Sequence, residues 1–196
     1  MKLKYTYWYF KSVLTDKFCK KIIDLAKKEQ KSVAKVGVGT TDKKTRDSLV
    51  LFLNDPIIYE TLGPYIHTAN KNAGGNFQWE STEAVQYTEY NKKQHYRWHQ
   101  DAWDQAYANV EEPSTYGKIR KISVSCSLND SKKYKGGKLQ FDLSTPIKKD
   151  NIITCEEILP KGSIVIFPSF IWHRVTPVTQ GTRQSLVLWN LGNPYV

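Results

Sequence analysis

Residues 95–104 read HYRWHQDAWD and contain two of the chain's four histidines. On an extended backbone, residues two apart face the same way, so His99 and Asp101 can reach one ion. One imidazole and one carboxylate leave a divalent ion short of ligands, so a third must come from elsewhere. His173, in FPSFIWHRVTPV, is the best candidate: it follows the strand-like run GSIVIFP, which can deliver it across a barrel to the other two. Two histidines and a carboxylate make the facial set that suits non-haem Fe(II) and leaves positions open, although zinc accepts the same ligands. Arg183 chooses between them. With Ser185 on the same strand face, it offers a carboxylate a guanidinium fork and a hydroxyl donor. A 2-oxo diacid needs that arrangement, since one end chelates iron while the distal carboxylate meets the arginine.

The elements that must position these residues fall into two textures. Thr15 or Asp16 caps a predicted helix running to about Gln30, with apolar residues at Phe18, Cys19, Ile22, Ile23, Leu25 and Ala26. Asp55-Pro56 opens a second helical segment, which Gly63-Pro64 should interrupt. From about residue 77 the chain turns to short β-type runs separated by turn residues. They include FQWESTEAVQYTEY, KIRKISVSCSLND, GGKLQFDL, GSIVIFP, WHRVTPV and TRQSLVLWNLG. The expected class is α+β, with a sandwich or jelly roll carrying the site after a mainly helical part over 1–76. In RKISVSCSLND, Ile122, Val124, Cys126 and Leu128 alternate with Ser123, Ser125 and Ser127, so one face belongs on a core. The serine face either meets solvent or lines a cavity.

In order, the chain supplies Tyr90, Tyr96, His99 and Asp101, then Arg120, Ser123, Leu128 and Asn129. Gly136-Gly137 and Leu139 follow, then Pro160, Gly162 and Phe167-Pro168-Ser169. Last come His173, Val175, Pro177-Val178, Gly181, Arg183 and Trp189. Over residues 83–195 this ordered set resembles the catalytic domain of the Fe(II)- and 2-oxoglutarate-dependent oxygenases, in the prolyl-4-hydroxylase-like, PKHD-type branch. The resemblance implies a double-stranded β-helix (jelly-roll) core, residues 77–196, with N-terminal supporting helices in a single domain, 1–196. It makes His99, Asp101 and His173 the iron ligands and Arg183 the partner of the distal carboxylate of 2-oxoglutarate. Tyr90 and Ser185 become further co-substrate contacts, while Val175 and Trp189 wall the pocket. O2 and ascorbate, as reductant, complete the implied cofactors. Ser127 departs from the pattern where some relatives carry a co-substrate tyrosine, and Lys138 replaces the acid of G-G-E-L. Halogenating relatives lack the carboxylate, so Asp101 points to hydroxylation.

The implied substrate is a prolyl or other residue of a peptide or protein, or a small molecule. Two alternatives stand beside it. A nucleic-acid demethylase would suit the net charge of +10. Those repair enzymes resemble a pattern with a second arginine six residues after the first, where this chain has Trp189. The other alternative is a non-catalytic jelly-roll binding module. Lysine doublets such as Lys20-Lys21 and Lys132-Lys133 are dispersed without a basic run, as on a solvated surface. His67, in a helical stretch, reads as structural and His95 as a rim residue. Tyr96, Trp98 and Trp103 read as pocket wall or support.

No run of apolar residues is long enough for a membrane helix, and MKLKYTYWYFKSVLTDKF lacks the apolar core of a secretory signal. Cys19, Cys126 and Cys155 form no C-x-x-C and no ladder, which fits a reducing compartment. A cytoplasmic location is therefore expected.

Overall fold

Thr15 starts the first helix by accepting a hydrogen bond from the Phe18 amide at 3.1 Å, which satisfies one of the free N–H groups of α1 (Asp16–Lys28). In this computed structural model, which describes residues 3–36, 39–102, 105–144 and 151–195, Asp55 does the same for α2 (Pro56–Asn72) through the Ile57 amide at 3.0 Å. Contrary to the sequence expectation, Gly63-Pro64 does not interrupt α2. Ile58, Leu62, Ile66 and Ala69 lie on one buried stripe of this helix, and their burial holds it together across the proline. None of the described helices is long and apolar enough to cross a membrane.

Gly63 eases the proline into α2: in a helical backbone the Cδ of Pro64 crowds a Cβ on the preceding residue, and glycine has none.

The strands run in chain order as follows. The first part holds β1 (Trp8–Phe10), β2 (Ser32–Val33), β3 (Arg46–Asp47) and β4 (Leu49–Leu53). Next come β5 (Ser81–Thr82), β6 (Val85–Tyr90), β7 (His95–His99) and β8 (Ile119–Ser127). Then follow β9 (Tyr134–Gly136), β10 (Leu139–Asp142), β11 (Ile152–Thr154) and β12 (Ile164–Pro168). The last three are β13 (Trp172–Val175), β14 (Val178–Gly181) and β15 (Arg183–Gly192).

Residues 1–76, read from sequence as mainly helical, thus also supply β1 to β4. The segment TRDSLVLFLN pairs with β6 and β7 as strands, because its apolar and β-branched residues find sheet partners that a local reading cannot see.

The larger sheet has the order β1-β12-β8-β15-β6-β4-β2, with β5 beside β15; the smaller has β11-β10-β13-β7-β3. Successive strands β6, β7, β8, β10, β12, β13 and β15 alternate between the two sheets, and their pairings are antiparallel. That alternation is the double-stranded β-helix expected from the sequence.

Period-two alternation sends each strand's residues to opposite sides. Ile122, Val124, Cys126 and Leu128 of the β8 segment, with Leu186 and Leu188 of β15, join Phe18, Ile22, Ile58 and Leu62 in a core on the helix side. Between the sheets, Leu139, Phe141, Val165 and Phe167 fill one end, while Tyr90, Val175 and Val178 fill the other. Residues of both clusters line the intervening cavity.

Candidate active site

The two histidines of the candidate triad are neighbours across one ladder. His173 of β13 pairs directly with His99 at the end of β7, and their ring centroids are 4.1 Å apart. His173 therefore does not reach across the barrel, as the sequence suggested; it stands beside His99 in the smaller sheet. The register between the strands shifts from His173↔His99 to Val175↔Tyr96, a bulge that adds one residue to β7. Strict alternation would put Tyr96 and His99 on opposite faces, but the bulge puts both on the cavity side, stacked at 3.4 Å. Trp98 turns away and lies under the Arg174 guanidinium, so it is not part of the pocket wall. Trp103 lies outside the described residues.

Each imidazole is oriented by a backbone carbonyl. His99 Nδ1 is 2.8 Å from the Arg97 carbonyl, and His173 Nδ1 is 2.9 Å from that of Ile171. A carbonyl only accepts, so both Nδ1 atoms donate, which fixes the tautomer in which the neutral ring's lone pair is on Nε2. The Nε2 atoms face Asp101, at 3.7 Å from Oδ1 for His99 and 3.5 Å from Oδ2 for His173. These separations exceed hydrogen bonds and suit donors gathered around a common point. All three ligand atoms lie within 4.8 Å of one another. Burial, then the neighbouring His173, holds His99 well below the ordinary imidazole value, which favours its neutral, ligating form.

Asp101, only 6% exposed, is fixed from behind. Its amide donates to the Ser169 carbonyl at 2.9 Å, and the Ser123 hydroxyl donates to its Oδ2 at 2.7 Å. Ser123 is in turn 2.9 Å from the Ser169 hydroxyl. Burial alone would push this carboxyl up. His173, His99, Arg120 and the Trp189 indole together outweigh it and hold the group at about 2. The triad thus offers two inward-facing imidazole Nε2 atoms and one carboxylate, a donor set that fits a divalent metal.

Arg183 enters the cavity from the larger sheet. Arg183 is 4% exposed, yet no carboxylate pairs with it among the described residues. It donates to Ser185 Oγ at 3.1 Å and stands 5.6 Å from the Tyr90 ring centroid, opposite Tyr90 in register. A buried, unpaired guanidinium is costly and marks a place for an anion. Ser185 accepts from Arg183, which leaves its own hydroxyl hydrogen for a ligand.

Val175 and Trp189 also line the cavity, with the buried Trp189 indole N–H on the Asp101 side. The Arg120 guanidinium lies 3.8 Å over the Trp189 ring and is paired with Glu83 through bonds of 2.7 and 2.6 Å. Of the serine face, Ser125 lines the cavity and Ser123 holds Asp101, so the face does not meet solvent. Ser127 donates to the Asn129 carbonyl and Lys138 pairs with Glu156 at the surface.

His67 stacks on Trp79, away from the site. His95 lies at the β3–β7 edge against the Lys44 carbonyl, outside the cavity lining. Sequence reasoning missed Arg46 and Gln86, which line the same cavity. A lone arginine in TRDS and a lone glutamine in AVQY carry no local signal; sheet pairing brings them in.

A family model described as the 2OG-Fe(II) oxygenase superfamily matches residues 85–190. A PKHD-type hydroxylase from Synechococcus sp. is 36% identical over 81 residues, covering 41% of this chain and 34% of that relative. The chain spans about a third of the length of the curated relatives it matches. In fold it is similar to a prolyl-4-hydroxylase of Pseudomonas putida, with a TM-score of 0.70 at 17% identity, over 95% of this chain and 93% of that one. It is also similar to a prolyl hydroxylase from Trichoplax adhaerens, with a TM-score of 0.73 at 14% identity, over 95% and 84% of the two chains.

Proposed function

The chain belongs to the 2OG-Fe(II) oxygenase superfamily, and on that footing we propose that it is a 2-oxoglutarate-dependent hydroxylase. His99, Asp101 and His173 would hold Fe(II), and Arg183 would pair with the distal carboxylate of 2-oxoglutarate, with Tyr90 and Ser185 as further contacts. The observation that carries this reading is the buried Arg183, left without a carboxylate partner in the cavity that the triad lines. When bound, Fe(II) with 2-oxoglutarate and O2 supplies the oxidation of a C–H bond to C–OH, with release of succinate and CO2, and ascorbate serves as external reductant.

The protein's own part is geometric and electrostatic. Carbonyls of Arg97 and Ile171 orient the two imidazoles so that their Nε2 atoms would hold the ion, while Ser123 and Ser169 hold the carboxylate. Val175, Trp189 and Phe167 exclude water from the reacting centre. A prolyl or other residue of a peptide or protein is the proposed substrate; the Trichoplax neighbour is in complex with a peptide fragment of a hypoxia inducible factor. Three buried free thiols support a reducing, cytoplasmic setting.

Calorimetry of 2-oxoglutarate against anaerobic, Fe(II)-loaded protein tests the reading directly. We expect one site per chain, and in air succinate together with one added oxygen in a member of a peptide panel. Absence of both co-substrate binding and succinate would sink it.

A finer test lies in Gly137, whose backbone is left-handed at φ +59. A Cβ there would meet Val178 Cγ2 at 3.0 Å and Arg183 Cδ at 3.1 Å. Gly137→Ala is expected to displace Arg183 and raise KM for 2-oxoglutarate about 10-fold. Metal stoichiometry measured on the same samples should stay at one.

A further inference from the structure

Arg46 is a second buried arginine of the same cavity, on the opposite sheet from Arg183. It sits on β3, paired in register with Tyr96, and is 8% exposed. Its Nε–H donates to Ser48 Oγ at 3.2 Å, and an Nη1–H reaches the Lys35 carbonyl at 3.4 Å. The guanidinium lies 4.6 Å over the Tyr96 ring, which itself stacks on His99. These contacts fix the plane of the fork, but none neutralises it. No carboxylate pairs with Arg46 among the described residues: the adjacent Asp47 accepts from Gln94, and Glu83 is taken by Arg120. Three of its five N–H donors, both on Nη2 and one on Nη1, make no hydrogen bond among the described residues.

Arg46 also lines a wider groove whose lining includes Asp101, Trp189, Val50, Phe52 and Lys35. Arg183 lines only the inner cavity. Two unpaired buried guanidinium groups call for two anions. In the hydroxylase reading the inner one meets the co-substrate; the outer one lines the groove that also reaches Asp101.

We infer that Arg46 receives a carboxylate carried by the substrate, so that the enzyme acts on an acid-bearing molecule. The carboxylate belongs either to an aspartyl or glutamyl side chain near the oxidised residue or to a free α-carboxyl group. The inference rests on the hydroxylase reading above. With one Nη1 hydrogen and both on Nη2 unused among the described residues, the guanidinium retains donors for a two-bond carboxylate pair, and Lys35 of the same groove adds a second cation. Gln86, whose Nε2 is spent on Thr88 Oγ1, keeps its carbonyl oxygen for a substrate N–H.

The test is a paired library in which each member occurs as acid and amide: Asp against Asn, Glu against Gln, and free against amidated C-terminus. Succinate release and oxygen incorporation are read for wild type, Arg46→Gln and Arg46→Lys, beside 2-oxoglutarate calorimetry and thermal unfolding. We expect wild type to favour acids over their amides by about 30-fold in kcat/KM, the effect of losing a charge-assisted pair. Arg46→Gln should reduce that ratio to about 3-fold or less, chiefly through KM, and Arg46→Lys should restore part of it. Side-chain and C-terminal pairs in the library distinguish the two sources of the carboxylate. Equal use of acids and amides by wild type would overturn the inference, as would 2-oxoglutarate turnover that no acid-bearing member stimulates. A ratio unchanged in folded Arg46→Gln would overturn it too. Failure of wild type to bind or consume 2-oxoglutarate is a different result, which refutes the hydroxylase reading itself.

Discussion

Replacing Arg183 with leucine is expected to raise KM for 2-oxoglutarate by about 100- to 1,000-fold. Hydrogen bonds to a charged group contribute about 1.5–3 kcal/mol each, and a two-bond fork to a carboxylate roughly 3–4 kcal/mol in all. The loss should be selective. A 2-oxo acid without a distal carboxylate, such as 2-oxobutanoate, makes no such pair and should be used with similar efficiency by both proteins. Stability should move the opposite way from activity. Arg183 is 4% exposed with no carboxylate partner among the described residues, so the free protein carries an uncompensated buried charge. Leucine removes that cost. We expect the thermal midpoint of the ligand-free variant to equal or exceed that of wild type, and the stabilisation by 2-oxoglutarate to shrink. Equal KM values in the two proteins would show that the co-substrate carboxylate binds elsewhere.

Asp101→Asn is expected to reduce turnover by on the order of 1,000-fold, about 4 kcal/mol in the barrier. The cause is the ion rather than the fold. An amide nearly matches the carboxylate in shape and can still accept from Ser123, but it brings no charge to a divalent cation that the two imidazoles would otherwise hold alone. Metal analysis after dialysis, and calorimetry with Mn(II) as probe, should show the affinity falling with the activity. Asp101→Glu keeps the charge but lengthens the arm in a site closed by Ser123 and Ser169. It should recover part of the metal affinity and little of the turnover. Full metal binding by Asp101→Asn would remove this carboxylate from the ligand set.

The order His99, Asp101, His173, Arg183 is legible in the chain because each residue sits beside a local signal: an extended H-x-D, a strand-like run, a strand carrying Arg and Ser at period two. The serine alternation of β8 is legible for the same reason, since one face of a strand is written in every second residue. The helix starts at Thr15 and Asp55 are legible because capping is local chemistry.

What the sequence by itself determined is therefore the inventory of the site, the β character of its carrier and, through an ordered motif set, the family. The tertiary structure alone decided how those parts face one another. The β7 bulge brings Tyr96 to His99 and turns Trp98 away, and its presence depends on the register against β13. The smaller sheet puts His173 beside His99, so the two imidazoles share one ladder and the arginine lies opposite it. α2 runs through Gly63-Pro64 because its buried stripe outweighs a local break. Arg46 becomes a cavity residue only because β3 pairs with β7, about fifty positions away in the chain. Even the most telling property of Arg183, a buried charge without a partner, belongs to no residue in isolation. Periodicity and caps are set by neighbours in sequence, whereas register, burial and the pairing of charges are set by neighbours in space.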